Sequence, residues 1–158
     1  MIEVMDQSAR RGAIVPLLDS VYKIIAANGT PMTHIITWKQ KMSKNLVDIN
    51  WRFIVAIEAG RLVGFLFYRY QGPNIYIEEL HTAPDKKTDA SIIQGLLAKL
   101  ELDNGTKGAA FYINGRMQLA KREEMLAAVG LVPELENGWQ CIGNLEEVKN
   151  EIKGRYLV

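Results

Sequence analysis

The stretch from Asn74 to Leu102 constrains the chain most, because its residue pattern changes period partway along. Tyr76, Ile77, Leu80 and Thr82 favour a strand, with Glu78 and Glu79 set inside it. Ala83-Pro84 ends that strand, since proline donates nothing to a ladder and pushes its predecessor out of the helical region. Beyond Asp85-Lys86-Lys87, apolar residues recur at Ile92, Ile93, Leu96, Leu97 and Leu100, which is one face of a helix. A helix start exposes unpaired N–H groups and a partial positive charge, so a strand–turn–helix unit is a common cradle for anions. Two acids inside a strand and two lysines ahead of a helix mark this segment as the functional centre.

The flanking chain supplies a mixed set of elements. Met1 to Met5 reads as an edge strand. From Ala13, residues Ile14, Leu17, Leu18, Val21, Ile24 and Ile25 repeat at helical spacing, with Pro16 in the first turn and Asn28-Gly29 as the stop. Thr30-Pro31 is expected to open a second helix through Ile35, Ile36, Trp38 and Met42, ending near Asn45. Trp51–Ile57 and Leu62–Tyr70, joined by Glu58-Ala59-Gly60-Arg61, read as a hairpin that continues into the central strand as an antiparallel meander. After the central helix, Gly108–Asn114 reads as a fifth strand, parallel to the central one because a crossover precedes it. Leu119–Val129 is a further helix, Leu131–Glu134 and Gly138–Ile142 two closing strands, and Leu145–Tyr156 a last helix. The order is α/β in the mixed (α+β) sense, over a single domain of residues 1–158.

Composition excludes several classes. A net charge of +1 predicts no nucleic-acid footprint, and Lys39, Lys41 and Lys44 suit a solvated helix face. The lone Cys141 allows neither an intrachain disulfide nor a thiolate metal cluster. With no charged-then-apolar leader and no long apolar run, neither a signal peptide nor a membrane span is expected, which points to a cytoplasmic protein.

Three segments carry a family resemblance. "IYIEELHTAP" is similar to the central fourth strand of the GCN5-related N-acetyltransferase (GNAT) superfamily. "MLAAVGLVPE" resembles its helix-to-strand segment ending in Gly-Phe-x-x-Glu, and "VAIEAGRLVGFLFY" resembles its second hairpin. The resemblance implies a mixed, mostly antiparallel sheet of six to seven strands, about four to five flanking helices, and a splay between strands 4 and 5. It implies acetyl-CoA as cosubstrate, its pantetheine arm bonded to the backbone near Leu80, His81 and Thr82. The pyrophosphate would meet the turn Lys86, Lys87, Thr88, Asp89 and Ala90. In the family that turn carries an arginine or glutamine followed by glycines, whereas this chain has none between Lys87 and Ile92. Asp89 suits a helix dipole but opposes a diphosphate; Lys86 and Lys87 offset it, and Thr88 and Asp89 equally suit a plain helix cap.

Acetyl transfer needs a neutral amine, which a carboxylate can supply by taking the proton. "Y-I-E-E" resembles the "Y-L-E-D" of the diamine acetyltransferases, which implies Glu78 as base and Glu79 as a substrate-side acid. Cross-strand pairing with Arg52, Arg61 or Arg69 is the structural alternative. Strict alternation puts Tyr76 and Glu78 on one face and Glu79 on the other, unless a bulge near Leu80 reverses the later positions. The family's acid tyrosine is replaced by Leu126, leaving Tyr112 and His81 as substitutes or packing residues. Asn114 either bonds the pantetheine or closes a turn with Gly115. The first two helices would shape the acceptor pocket, with His34, Trp38, Met42 and Trp51 lining it or filling the core. The implied activity is direct acetyl transfer to a primary amine of a small molecule or peptide. A binding or regulatory module that has lost catalysis is the alternative, supported by the glycine-free turn and the missing tyrosine. Exposed strand edges leave a homodimer open.

Overall fold

The computed structural model describes residues 1–29, 32–72, 74–86, 89–104, 111–114 and 139–143. Among the described residues, six strands form one sheet in sequence order: β1 (Ile2–Asp6), β2 (Trp51–Glu58), β3 (Arg61–Gln71), β4 (Asn74–Thr82), β5 (Phe111–Asn114) and β6 (Trp139–Gly143). β1 to β4 run antiparallel, β5 lies parallel to β4, and β6 returns antiparallel to β5. The meander and the parallel fifth strand are as the sequence predicts. The predicted elements at Leu119–Val129, Leu131–Glu134 and Leu145–Tyr156 lie outside the described residues.

β2 and β3 meet in a two-residue turn, Ala59 at φ +50° and Gly60 at φ +76°. Two consecutive left-handed residues match the right-handed twist of the flanking strands, and glycine adopts that conformation without strain. Both faces of β2 and β3 are covered, which is why these strands read as nearly continuous apolar runs. One face carries Ile54, Ala56, Leu66 and Tyr68, joined by Ile75, Ile77 and Leu80 of β4, and packs against Ile92, Leu96, Leu97 and Leu100 of α3 (Ala90–Asn104). The other carries Phe53, Val55, Phe65 and Phe67. It packs against Leu18, Val21 and Ile25 of α1 (Leu18–Ala27) and Met42 and Leu46 of α2 (Ile35–Val47).

Two helix starts differ from expectation. The first predicted helix begins as two 3₁₀ turns, Arg11–Ala13 and Val15–Leu17, before α1 proper. Pro16 accounts for this: its ring opposes the carbonyl four residues back, and the tighter turn avoids that clash. α2 opens at His34, whose Nδ1 accepts the Ile36 N–H at 3.3 Å, later than Thr30-Pro31. Across the junction from α2 to β2, the Arg11 guanidinium donates to the carbonyls of Leu46, Asp48, Ile49 and Trp51. α3 lies close to the sheet at Gly64. A Cβ there would stand 2.6 Å from Ile92 Cγ2 and 3.1 Å from the His81 carbonyl oxygen.

Candidate active site at the β4 bulge

The predicted alternation of β4 breaks at Glu78. Phe67 pairs with Glu79 while Tyr68 pairs with Ile77, so Glu78 is an extra residue in the β3–β4 ladder. Cross-strand partners share a face, so Glu79 stands with Phe67, and His81 with Phe65, on the α1–α2 side of the sheet. Tyr76 shares that side through Arg69. The bulge therefore undoes the separation of the two glutamates that strict alternation predicts. The β4–β5 ladder spans Ile75–Ile77 against Phe111–Ile113, whereas β4 runs on to Thr82. Among the described residues, the bulge thus lies just past the last β4–β5 pair.

Glu78 and Glu79 have different partners. Arg69 Nε donates to Glu78 Oε1 at 2.6 Å, and the same guanidinium lies over the Tyr76 ring, 4.7 Å from its centroid. Of the three arginines offered by the sequence, Arg69 is the one that pairs with Glu78, whose side chain is 16% exposed. Glu79 is 28% exposed, and its Oε2 lies 2.6 Å from Nε2 of the fully buried His81. His81 Nδ1 in turn faces Asn28 Nδ2 at 3.2 Å. The same Asn28 nitrogen is 3.2 Å from the Thr82 carbonyl oxygen, which only accepts, and this fixes the orientation of the amide. Sequence reading treats Asn28 only as a helix stop; nothing local announces that its side chain reaches across 53 residues of sequence to β4.

The turn after β4 is a 3₁₀ segment, Pro84–Lys86. Asp85 takes both guanidinium N–H groups of Arg61, at 3.0 and 2.7 Å, and this bond holds its carboxyl below the usual range. Lys86 Nζ lies 2.9 Å from Glu58 Oε1, and the bond to Glu58 raises the lysine above its ordinary value. Asp89 Oδ1 accepts the Ser91 N–H at 3.0 Å and the Ser91 hydroxyl, so its carboxylate caps the first turn of α3 at Ala90. Lys87 and Thr88 lie outside the described residues. In β5, Tyr112 stands opposite Tyr76 of β4, and Asn114 stands opposite Trp139 of β6. Among the expected pocket residues, Met42 is buried, Trp38 and Trp51 are half-buried against the same core, and His34 caps α2. Trp38 packs edge-on to Tyr22 at 5.5 Å.

Among the described residues, no helix is long and apolar enough to cross a membrane, and no group of three or more potential ligands is arranged to hold a metal ion. No protein-family model matches the sequence, and no curated protein matches it. Solved structures do. The chain is similar to the PaiA N-acetyltransferase of Thermoplasma acidophilum, solved in complex with coenzyme A, at 17% identity. That match has a TM-score of 0.63 and covers 89% of this chain and 96% of the other. A ribosomal-protein alanine N-acetyltransferase from Escherichia coli matches at 11% identity and TM-score 0.61, covering 89% of each chain. An aminoglycoside acetyltransferase from an uncultured soil sample matches at 18% identity and TM-score 0.57, covering 87% of this chain and 95% of that one. The chain has the GNAT fold.

Two parts of the site fit a coenzyme A thioester differently. The stretch of β4 beyond Ile77, Leu80 to Thr82 included, continues past the described ladder and suits an extended arm. At the start of α3, a diphosphate would meet the Asp89 carboxylate, already bonded to the Ser91 N–H, while Lys86 has Glu58 as its partner.

Proposed function

We propose that the chain is an N-acetyltransferase, a single domain over residues 1–158, that moves the acetyl group of acetyl-CoA directly onto a primary amine of a small molecule or peptide. The observation that carries this reading is the bulge at Glu78, which brings two acidic side chains to the α1–α2 side just past the described β4–β5 pairs. The GNAT fold supports the reaction class but does not choose the acceptor. A cytoplasmic location, where acetyl-CoA is at hand, goes with this reading.

In this reading an ammonium group enters from the α1–α2 side, attracted by the two carboxylates. The sequence resemblance puts the base at Glu78. The 2.6 Å ion pair with Arg69 favours giving Glu78 the substrate-facing charge and Glu79 the proton. Glu79 keeps Oε1 clear of the bond to His81 and takes the proton directly or through a water. The amine nitrogen then bonds to the thioester carbonyl carbon, the C–S bond breaks, the nitrogen gives up its extra proton to leave a neutral amide, and the departing thiolate takes up a proton. Tyr112, one strand away and opposite Tyr76, is the candidate donor. The backbone of Leu80, His81 and Thr82 holds the thioester arm. The turn Lys86, Lys87, Thr88, Asp89 and Ala90, with Asn114 across the splay, holds the rest of the cosubstrate, weakly because of Asp89.

The test is thiol release from acetyl-CoA with a panel of diamines, aminoglycosides and short peptides, on wild type, Glu79→Gln and Glu78→Gln. Loss of the base lowers kcat by about 10²–10⁴-fold, expected for Glu79→Gln. Glu78→Gln should mainly raise KM for the amine. The reverse pattern would move the base to Glu78, and no turnover with any amine would end the transferase reading.

A further inference from the structure

We infer that His81 and Asn28 are positioning residues that hold Glu79 in place as the proton acceptor, an inference that rests on the transferase reading. The Asn28 amide nitrogen carries protons and no lone pair for bonding. Placed 3.2 Å from His81 Nδ1, it requires that nitrogen to accept. The imidazole proton then sits on Nε2 and is donated to Glu79 Oε2 at 2.6 Å. Asn28 is itself fixed by its second bond, to the Thr82 carbonyl oxygen, and by its place at the C-terminal end of α1. His81 is held from the side by the Phe65 ring, with centroids 5.3 Å apart, and is sealed from water.

The consequence is a relay of fixed direction running from α1 through β4 to the carboxylate. A proton on Nδ1 would confront the Asn28 amide protons, so the bond to Glu79 is donated from Nε2. One Glu79 oxygen is thereby tied to the buried imidazole, while the other takes no part in that bond and the side chain stays 28% exposed. A glutamate side chain has three rotatable bonds, and a tied oxygen removes most of that freedom before substrate arrives, the kind of preorganisation on which proton-transfer geometry depends. The relay also links the end of β4, at the Thr82 carbonyl, to the helix that borders the acceptor side.

The test combines a spectrum with kinetics. In the ¹⁵N-resolved imidazole spectrum of the wild-type protein, His81 should show a protonated Nε2 and an unprotonated Nδ1; the opposite tautomer, or an imidazolium, would overturn the relay whatever the activity. His81→Phe keeps a buried ring beside Phe65 but removes the donor, and should lower kcat about 10–100-fold with KM for acetyl-CoA within about twofold. His81→Gln restores one donor and one acceptor and should recover most of that loss, whereas a merely structural role would not separate the two variants in kcat alone. Equal kcat in wild type and His81→Phe, or no rescue by glutamine, sinks the positioning role while leaving the transferase reading intact. A wild-type protein without turnover removes the role in catalysis together with the transferase reading, and the spectrum still decides the tautomer.

Discussion

Gly64→Ala should cost stability, because α3 leaves no room for a methyl group on β3. The added Cβ would stand 2.6 Å from Ile92 Cγ2, 3.1 Å from the His81 carbonyl oxygen and 3.5 Å from Leu96 Cδ1. Ordinary contact begins near 3.4 Å, so Ile92 must retreat by roughly 0.8 Å. Ile92 is fully buried and packed on every side, and the His81 carbonyl belongs to a strand held by β3. Overpacking of this kind costs about 1–3 kcal/mol, and the smaller backbone entropy of alanine in the unfolded chain returns about 0.4–1 kcal/mol. A net loss of about 1–2 kcal/mol is expected in urea unfolding, as a lower midpoint at unchanged m. Pairing with Ile92→Ala sharpens the test. That variant alone should cost about 2–5 kcal/mol as a cavity, and the double variant less than the two losses combined, with a coupling of about 1 kcal/mol or more. Gly64→Ala within about 0.5 kcal/mol of wild type, or strictly additive losses, would refute this packing of α3 on β3.

Other expectations follow from particular contacts. Arg11→Met removes a guanidinium that donates to four backbone carbonyls between α2 and β2, and should lower stability by about 2–3 kcal/mol in the same unfolding assay. Asp89→Ala removes the cap of α3 and should cost about 0.5–2 kcal/mol, whereas Asp89→Gly should cost only a few tenths. Without the opposing charge, Asp89→Gly should bind acetyl-CoA about tenfold more tightly by calorimetry, roughly 1.4 kcal/mol. Unchanged affinity would mean that Asp89 does not face the diphosphate. The Arg61 bond lowers the carboxyl of Asp85, so its contribution is present above the ordinary value of 3.8 and fades as pH falls through the lower folded value. The stability difference between wild type and Asp85→Asn should therefore be seen at neutral pH and disappear in acid unfolding scans. For Lys86, raised by Glu58, the sign is opposite: its contribution is present below 10.5 and is lost as pH rises above it.

Much of the fold was legible because period and turn chemistry agree in this chain. The hairpin at Ala59-Gly60 and the meander from Trp51 to Thr82 follow from runs of β-branched and aromatic residues punctuated by glycine and proline, and the α3 face from its 3.6-residue spacing. The first helix is shorter than its apolar spacing predicts, because that spacing does not distinguish 3₁₀ from α geometry around Pro16. The site was legible in part. Glu78, Glu79 and His81 stand out as polar residues in a strand, but which face each one takes depends on a bulge, and a bulge is set by the register with β3 rather than by local preference. Asn28 was invisible as a site residue because its partners are tertiary, and the Arg69–Glu78 pair was one of three cross-strand pairings the sequence allowed.

Isothermal titration of the wild-type protein with acetyl-CoA tests the central claim most directly. Stoichiometric binding with a Kd in the micromolar range, about −8 kcal/mol, is the expected result, since the arm along β4 would hold the thioester despite Asp89. No heat of binding at millimolar acetyl-CoA from either wild type or Asp89→Gly would contradict it, leaving a GNAT fold without the cosubstrate that the proposed reaction requires.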